Sequence, residues 1–185
     1  MHRAAFLDRD GVINIDHGYL YRWEDFEYVP GAVEAMRALH QAGYLLVIVT
    51  NQSGIARGMY TEQDFQTLSE RMREHLLSEG VPLAAIEFCP HLPDGQVPAY
   101  RCECGCRKPA PGMILRAARS LDVCLAQSLL FGDKPSDIEA AYAANLGQAV
   151  ILAKNGEGPI ADLPSQWPAL RHQSLHAAVK ALLPA

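Results

Sequence analysis

Residues 44–50, YLLVIVT, are apolar at nearly every position and β-branched toward the end. Such a strand has no polar face to turn to water, so both of its sides must be covered. Comparable short apolar runs stand at residues 3–8, 85–89, 128–133 and 149–153. Helix patterns fill the spaces between them. Pro30-Gly31 opens one that Gly43 stops. Thr61 and Asp64 start a second, in which Phe65, Leu68, Met72 and Leu76 recur at steps of three and four. Pro111 suits the first turn of a third. Ser136 with Glu139 reads as a capping box for a fourth, closed by Gly147, and residues 174–183 form the last. Residues 12–30, 54–60, 90–110 and 154–172 read as loops. Strands alternating with helices predict an α/β fold: a doubly wound, mostly parallel sheet with helices on both faces. The 185 residues suit a single domain, 1–185. Only about forty residues separate the first two strands, so no large cap domain is expected.

The formal net charge of -5 gives no basic field for nucleic acid. No apolar stretch approaches the ~20 residues that span a bilayer, and the first residues have no signal-peptide pattern. A cytoplasmic protein without a membrane partner is expected. No long unpaired apolar helix asks for a second copy, so a monomer is expected.

Ligands of open α/β sheets gather outside the carboxyl ends of the strands. Asp8, Thr50 and Asp133 stand at such ends, with Asp10 and Asp137 close by. Packed carboxylates repel each other unless a cation joins them. A few hard oxygen ligands suit Mg²⁺, which also binds substrate phosphate. Lys108 and Lys134 can neutralise phosphate oxygens, and Thr50 and Asn51 add donors beside the amides of Gln52, Ser53 and Gly54. One carboxylate can attack phosphorus, and another can protonate the leaving oxygen and then activate water.

Four of the five cysteines lie between positions 89 and 106. Cys89 and His91, with CECGC at 102–106, offer the ligands of a structural, tetrahedral Zn²⁺ in a small loop insert, about residues 89–106. The residues alone leave Cys102, Cys104 and Cys106 as candidates for two positions. Cys124 reads as a small buried hydrophobe. The loop runs directly into Arg107 and Lys108, so a metal knot there would fix where Lys108 points. Arg107 has the fork to hold a second anionic group.

FLDRDGVI at 6–13 resembles the first motif of the haloacid dehalogenase superfamily of phosphohydrolases. VIVTNQSG, CRKPAPG and LLFGDKPSDI look like its second, third and fourth motifs, in order, across about 130 residues. The resemblance implies Asp8 as nucleophile and Mg²⁺ ligand. It implies Asp10 as general acid/base and as a Mg²⁺ ligand through its backbone carbonyl. Thr50 and Lys108 would hold the phosphoryl group, Asp133 would bind the metal, and Asp137 would support it. The histidinol-phosphatase-like branch carries C-x-H…C-x-C-R-K-P, which selects Cys89, His91, Cys104 and Cys106 for zinc and leaves Cys102 over. Over about residues 4–153 the chain is further similar to that branch's heptose-bisphosphate phosphatases, through DHGYL, TNQSGIARGMYTE and CRKPAPGM. That similarity implies a small-molecule sugar bisphosphate and a place in nucleotide-activated heptose synthesis. Asp16, His17, Gly18 and Tyr19 would line the sugar site. Thr50, Asn51, Gln52 and Ser53 would line phosphate and sugar, Arg107 would recognise the second phosphate, and Lys134 would sit by the metal. A histidinol-phosphate phosphatase shares nearly every motif. A phosphoacceptor signalling domain uses an aspartate and Mg²⁺ on a similar sheet, but needs neither the second acid nor the cysteine loop.

Overall fold

The computed structural model describes residues 1–153 and 169–183. Its elements run β1 (Arg3–Leu7), α1 (Ala32–Gln41), β2 (Tyr44–Asn51), α2 (Ser53–Ala56), α3 (Glu62–Ser78), β3 (Leu83–Cys89) and α4 (Gly112–Ser120). β4 (Leu129–Gly132), α5 (Pro135–Ala143), β5 (Gln148–Leu152), β6 (Leu170–His172) and α6 (Leu175–Leu182) complete the order. The six strands form one sheet, β3-β2-β1-β4-β5-β6, and every pairing is parallel.

Alternation along each strand divides the core in two. Leu7, Leu46, Ile48 and Phe131 face α1, α3 and α6 through Met36, Leu39, Met72, Leu76 and Val179. Phe6, Val47, Val49 and Leu130 face α4 and α5 through Met113, Ile114, Ala117 and Ile138. The expected two-sided burial of residues 44–50 is therefore met by helices on both faces. The chain reverses its order of laying strands between β1 and β4. That switch point leaves a crevice at the carboxyl ends of these two strands.

Some boundaries differ from expectation. β6 lies in a stretch read as loop; two of its three residues are exposed, and pairing with β5 defines it where its own pattern does not. The remaining loop residues, 154–168, are outside the described part. One helical turn, α2, occupies part of the expected 54–60 loop. The capping of α5 is shifted: Asp137, not Glu139, accepts the amide of Lys134 at 3.0 Å, and Ser136 lies inside the helix. α5 also ends earlier than Gly147, with Asn145 making the left-handed turn at φ 57°. The Thr61–Asp64 capping box is present as expected.

Candidate active site

β1 carries the chain to Asp8 at the crevice, where the Asp8 amide donates to the Phe131 carbonyl of β4 at 3.0 Å. β4 ends one residue before Asp133, and α5 brings Asp137 back over the same point. Carboxylate oxygens of Asp8, Asp133 and Asp137 all lie within 4.8 Å of one another. Gly11 permits this closeness. Its φ is +91°, and a Cβ there would come within 2.1 Å of the Asp133 carboxylate.

Lys108 is buried between two of the acids. Its Nζ donates to Asp8 Oδ1 at 2.8 Å and to the Val49 carbonyl at 2.8 Å, and lies 2.6 Å from Asp137 Oδ1. Asn51 holds the lysine's backbone from both sides: Nδ2 donates to the Lys108 carbonyl and Oδ1 accepts from the Lys108 amide, each at 3.0 Å. Burial opposes the Lys108 charge, but Asp137 and Asp8 outweigh it and raise the ammonium pKa. Burial pushes Asp8 up to about 6, although Lys108 pulls the other way. Asp133 goes up to about 7, first through burial and then through the Asp8 charge. Its Oδ1 is buried without a hydrogen-bond partner among the described residues. An acid pair short of positive charge, with an unpartnered oxygen, has the chemistry of a divalent-cation site.

Asp10 is held differently. Its Oδ1 accepts from Arg9 Nε and Nη2 and from Asn14 Nδ2, and its Oδ2 accepts from Arg9 Nη2 and Gln52 Nε2. Asp10 lines the small crevice with Asp8, Thr50, Lys108 and Asp137, and also a neighbouring cleft of about 330 Å³. Asp16, Gly18, Tyr19, Asn51, Gln52, Ser53 and Lys134 also line that cleft. His17 does not. It lies half exposed beside Glu27, 3.6 Å away. The Gln52 amide is bonded to the Cys89 carbonyl at 2.8 Å, which removes it from the expected row of phosphate-facing amides. Arg107 donates to the His91 carbonyl at 3.3 Å. Lys134 Nζ lies 3.9 Å from Asp16, and the Asp133 charge leads the neighbours that keep its pKa high against burial.

The second cluster sits where β3 ends. Sγ of Cys89, Cys104 and Cys106 and Nδ1 of His91 approach one another at 3.3 to 3.7 Å. Thiolates about 2.3 Å from a tetrahedral zinc stand about 3.8 Å apart, so the four atoms fit one ion. None of these cysteines is disulfide-bonded. Cys102 is exposed and outside the group.

Three residues of the site were not anticipated from sequence. Arg9 is fully buried beneath Asp10, Asn14 is fully buried beside it, and Tyr60 bonds Gln52. Arg9 carries a faint signal, as a cation between two acids at a strand end. Tyr60 carries none, because a loop brings it back over Gln52.

A parallel sheet with a buried lysine and a cluster of carboxylates at its switch point defines a phosphohydrolase of the haloacid-dehalogenase kind. Comparison with known proteins agrees. Residues 105–178 match the HAD-hydrolase-like family model. The D-glycero-beta-D-manno-heptose-1,7-bisphosphate 7-phosphatase of Yersinia pestis is 50% identical over 149 residues, 80% of this chain and 79% of that one. The Vibrio cholerae enzyme of the same name is 47% identical over 80% of each chain. A D,D-heptose 1,7-bisphosphate phosphatase from B. bronchiseptica, solved with magnesium and phosphate, superposes with a TM-score of 0.83 at 33% identity, covering 97% of both chains. The chain belongs to the heptose-1,7-bisphosphate 7-phosphatase family of HAD-like hydrolases.

Proposed function

We propose that this enzyme removes the 7-phosphate of D-glycero-β-D-manno-heptose 1,7-bisphosphate through a phosphoryl-aspartate on Asp8. The supporting observation is the convergence of Asp8, Asp133, Asp137 and Lys108 at the β1–β4 crevice. The names of the 50%-identical relatives support the substrate.

Asp8, Asp133 and the Asp10 backbone carbonyl would hold Mg²⁺, with Asp137 close by but engaged by Lys108 and the Lys134 amide. Bound there, the ion would offset charge on the phosphoryl group. A carboxylate oxygen of Asp8 attacks phosphorus. Lys108 and the Thr50 hydroxyl meet the phosphoryl oxygens, and Asp10 protonates the departing sugar oxygen. Asp10, then ionised, takes a proton from the water that attacks the phosphoryl-aspartate. The cleft beside Asp10 takes the sugar, and Arg107 meets the second phosphate. Cys89, His91, Cys104 and Cys106 would hold a structural Zn²⁺ that fixes the loop leading to Lys108.

The test is phosphate release from heptose 1,7-bisphosphate, fructose 1,6-bisphosphate and histidinol phosphate, measured side by side. The heptose ester should be preferred, and Asp8→Asn should abolish release from all three. Arg107→Ala should lose more on bisphosphates than on monoesters. Preference for histidinol phosphate would overturn the substrate. Stable phosphorylation without turnover would make the chain a phosphoacceptor and overturn the hydrolase.

A further inference from the structure

Two stretches of chain line the cleft beside Asp10. One is Asp16, Gly18 and Tyr19; the other runs from Asn51 to Gly54 and returns at Tyr60. The first stretch is a sharp turn. The Asp16 carboxylate accepts the Gly18 amide at 2.9 Å, and Gly18 and Tyr19 both take left-handed backbone, at φ 74° and 51°. A tyrosine seldom adopts that conformation, so the surroundings must hold the turn in place. Arg9 Nη2 holds it from within by donating to the Leu20 carbonyl at 3.0 Å. The next residue, Tyr21, joins it to the second stretch.

The Tyr21 and Tyr60 rings stack, with centroids 5.4 Å apart and planes 14° from parallel, inside the favourable range for aromatic pairs. Tyr60 is a firm base for this contact. It is buried, its hydroxyl bonds the Gln52 side chain, and its ring lies so close to Gly54 that a Cβ there would come within 2.1 Å. Tyr21 is 38% exposed and does not line the cleft. It can serve the cleft only through the two stretches that it connects.

We infer that Tyr21 is a positioning residue for sugar recognition: by stacking on Tyr60 it ties the Asp16–Tyr19 turn to the Asn51–Tyr60 stretch and fixes the spacing of the cleft between them. The inference rests on the reading of this cleft as the sugar site. A long, hydroxyl-rich ester must be met by both stretches at once, so holding them at the right spacing beforehand raises its affinity. A small ester, held at Asp8 and Lys108 by its phosphate alone, needs neither stretch of the cleft.

The experiment measures kcat and KM with heptose 1,7-bisphosphate and with acetyl phosphate in wild type, Tyr21→Ala, Tyr21→Leu and Tyr21→Phe. Tyr21→Ala should raise KM for the heptose ester about fivefold, the worth of one aromatic pair, while its kcat and the kcat/KM for acetyl phosphate stay within about twofold. Tyr21→Phe keeps the ring and should match wild type. Tyr21→Leu keeps apolar bulk without a ring to stack, so it should repeat the alanine result and carries the test if alanine loosens the fold. The rest of the loop keeps its own anchors, since Leu20 is buried and Trp23 packs on His75 of α3 with centroids 5.6 Å apart. An unchanged heptose KM in Tyr21→Leu, equal losses on the two esters, or a Tyr21→Phe as poor as Tyr21→Ala would overturn the role of Tyr21. Wild type identifies the other failure: if its KM for the heptose ester is no lower than for acetyl phosphate, the sugar cleft falls and this inference with it.

Discussion

Lys108 shares its ammonium between Asp8 and Asp137 in a buried setting, and its removal would leave two carboxylates facing each other without compensation. Lys108→Met should destabilise the fold by about 3 kcal/mol in urea titrations at neutral pH, the usual penalty for breaking a buried pair from one side. Gly11→Ala acts on the opposite wall, where both its positive φ and the Asp133 carboxylate exclude a Cβ. It should weaken Mg²⁺ binding at least tenfold in calorimetry, since the displaced group is a proposed ligand. The raised Asp8 and Asp133 values set a pH dependence of stability. Both acids bind protons more tightly folded than unfolded, so their contribution is full below the unfolded value of 3.8 and is lost as pH rises through about 6 and 7. Magnesium bound at the proposed site would offset the same buried charge. The rise in Tm on adding Mg²⁺ should therefore be larger at pH 8 than at pH 5; an equal rise would place the ion elsewhere. At this scale the acids, Thr50 and Lys108 were legible because each stands beside a strand end or a motif. Arg9, Asn14 and Tyr60 were not, because their partners are set by how loops fold back.

The cysteine loop shows how an element without a core of its own is ordered. Residues 90–111 contain little regular structure, and the four converging ligand atoms join its start to its end. Its end is also tied by the Gly112 amide to the Gly105 carbonyl and by Asn51 to Lys108. Cys106→Ser should lower bound zinc, measured by mass spectrometry, and open the loop to proteolysis. It should also reduce kcat, because Lys108 lies two residues on. Full activity with no zinc would separate the loop from the site. α2 shows the same dependence at smaller scale. Gly54→Ala would press its methyl on the Tyr60 ring, and Tm should fall in thermal melts. Strands and long helices could be read from periodicity. β6 and α2 are three and four residues long, too short for any period to register.

Over the whole molecule, one topological fact places the chemistry. The order β3-β2-β1-β4-β5-β6 sets β1 beside β4, and these strands deliver acids separated by more than a hundred residues to one crevice. Alternating strands and helices made the layered fold legible, but strand order is not written in any local pattern; the Asp at the ends of both strands hinted at it. With no large insertion between β1 and β2, the cleft is bordered by short loops, one of them carrying Asp16, Gly18 and Tyr19. No helix among the described residues is long and apolar enough to cross a membrane. The central claim is that this crevice lets Asp8 accept a phosphoryl group. Rapid acid quench during turnover, followed by peptide mass spectrometry, tests it most directly. The account predicts a phosphoryl adduct on the peptide bearing Asp8, absent from Asp8→Asn. An adduct on another residue, or turnover that survives Asp8→Asn, would contradict it.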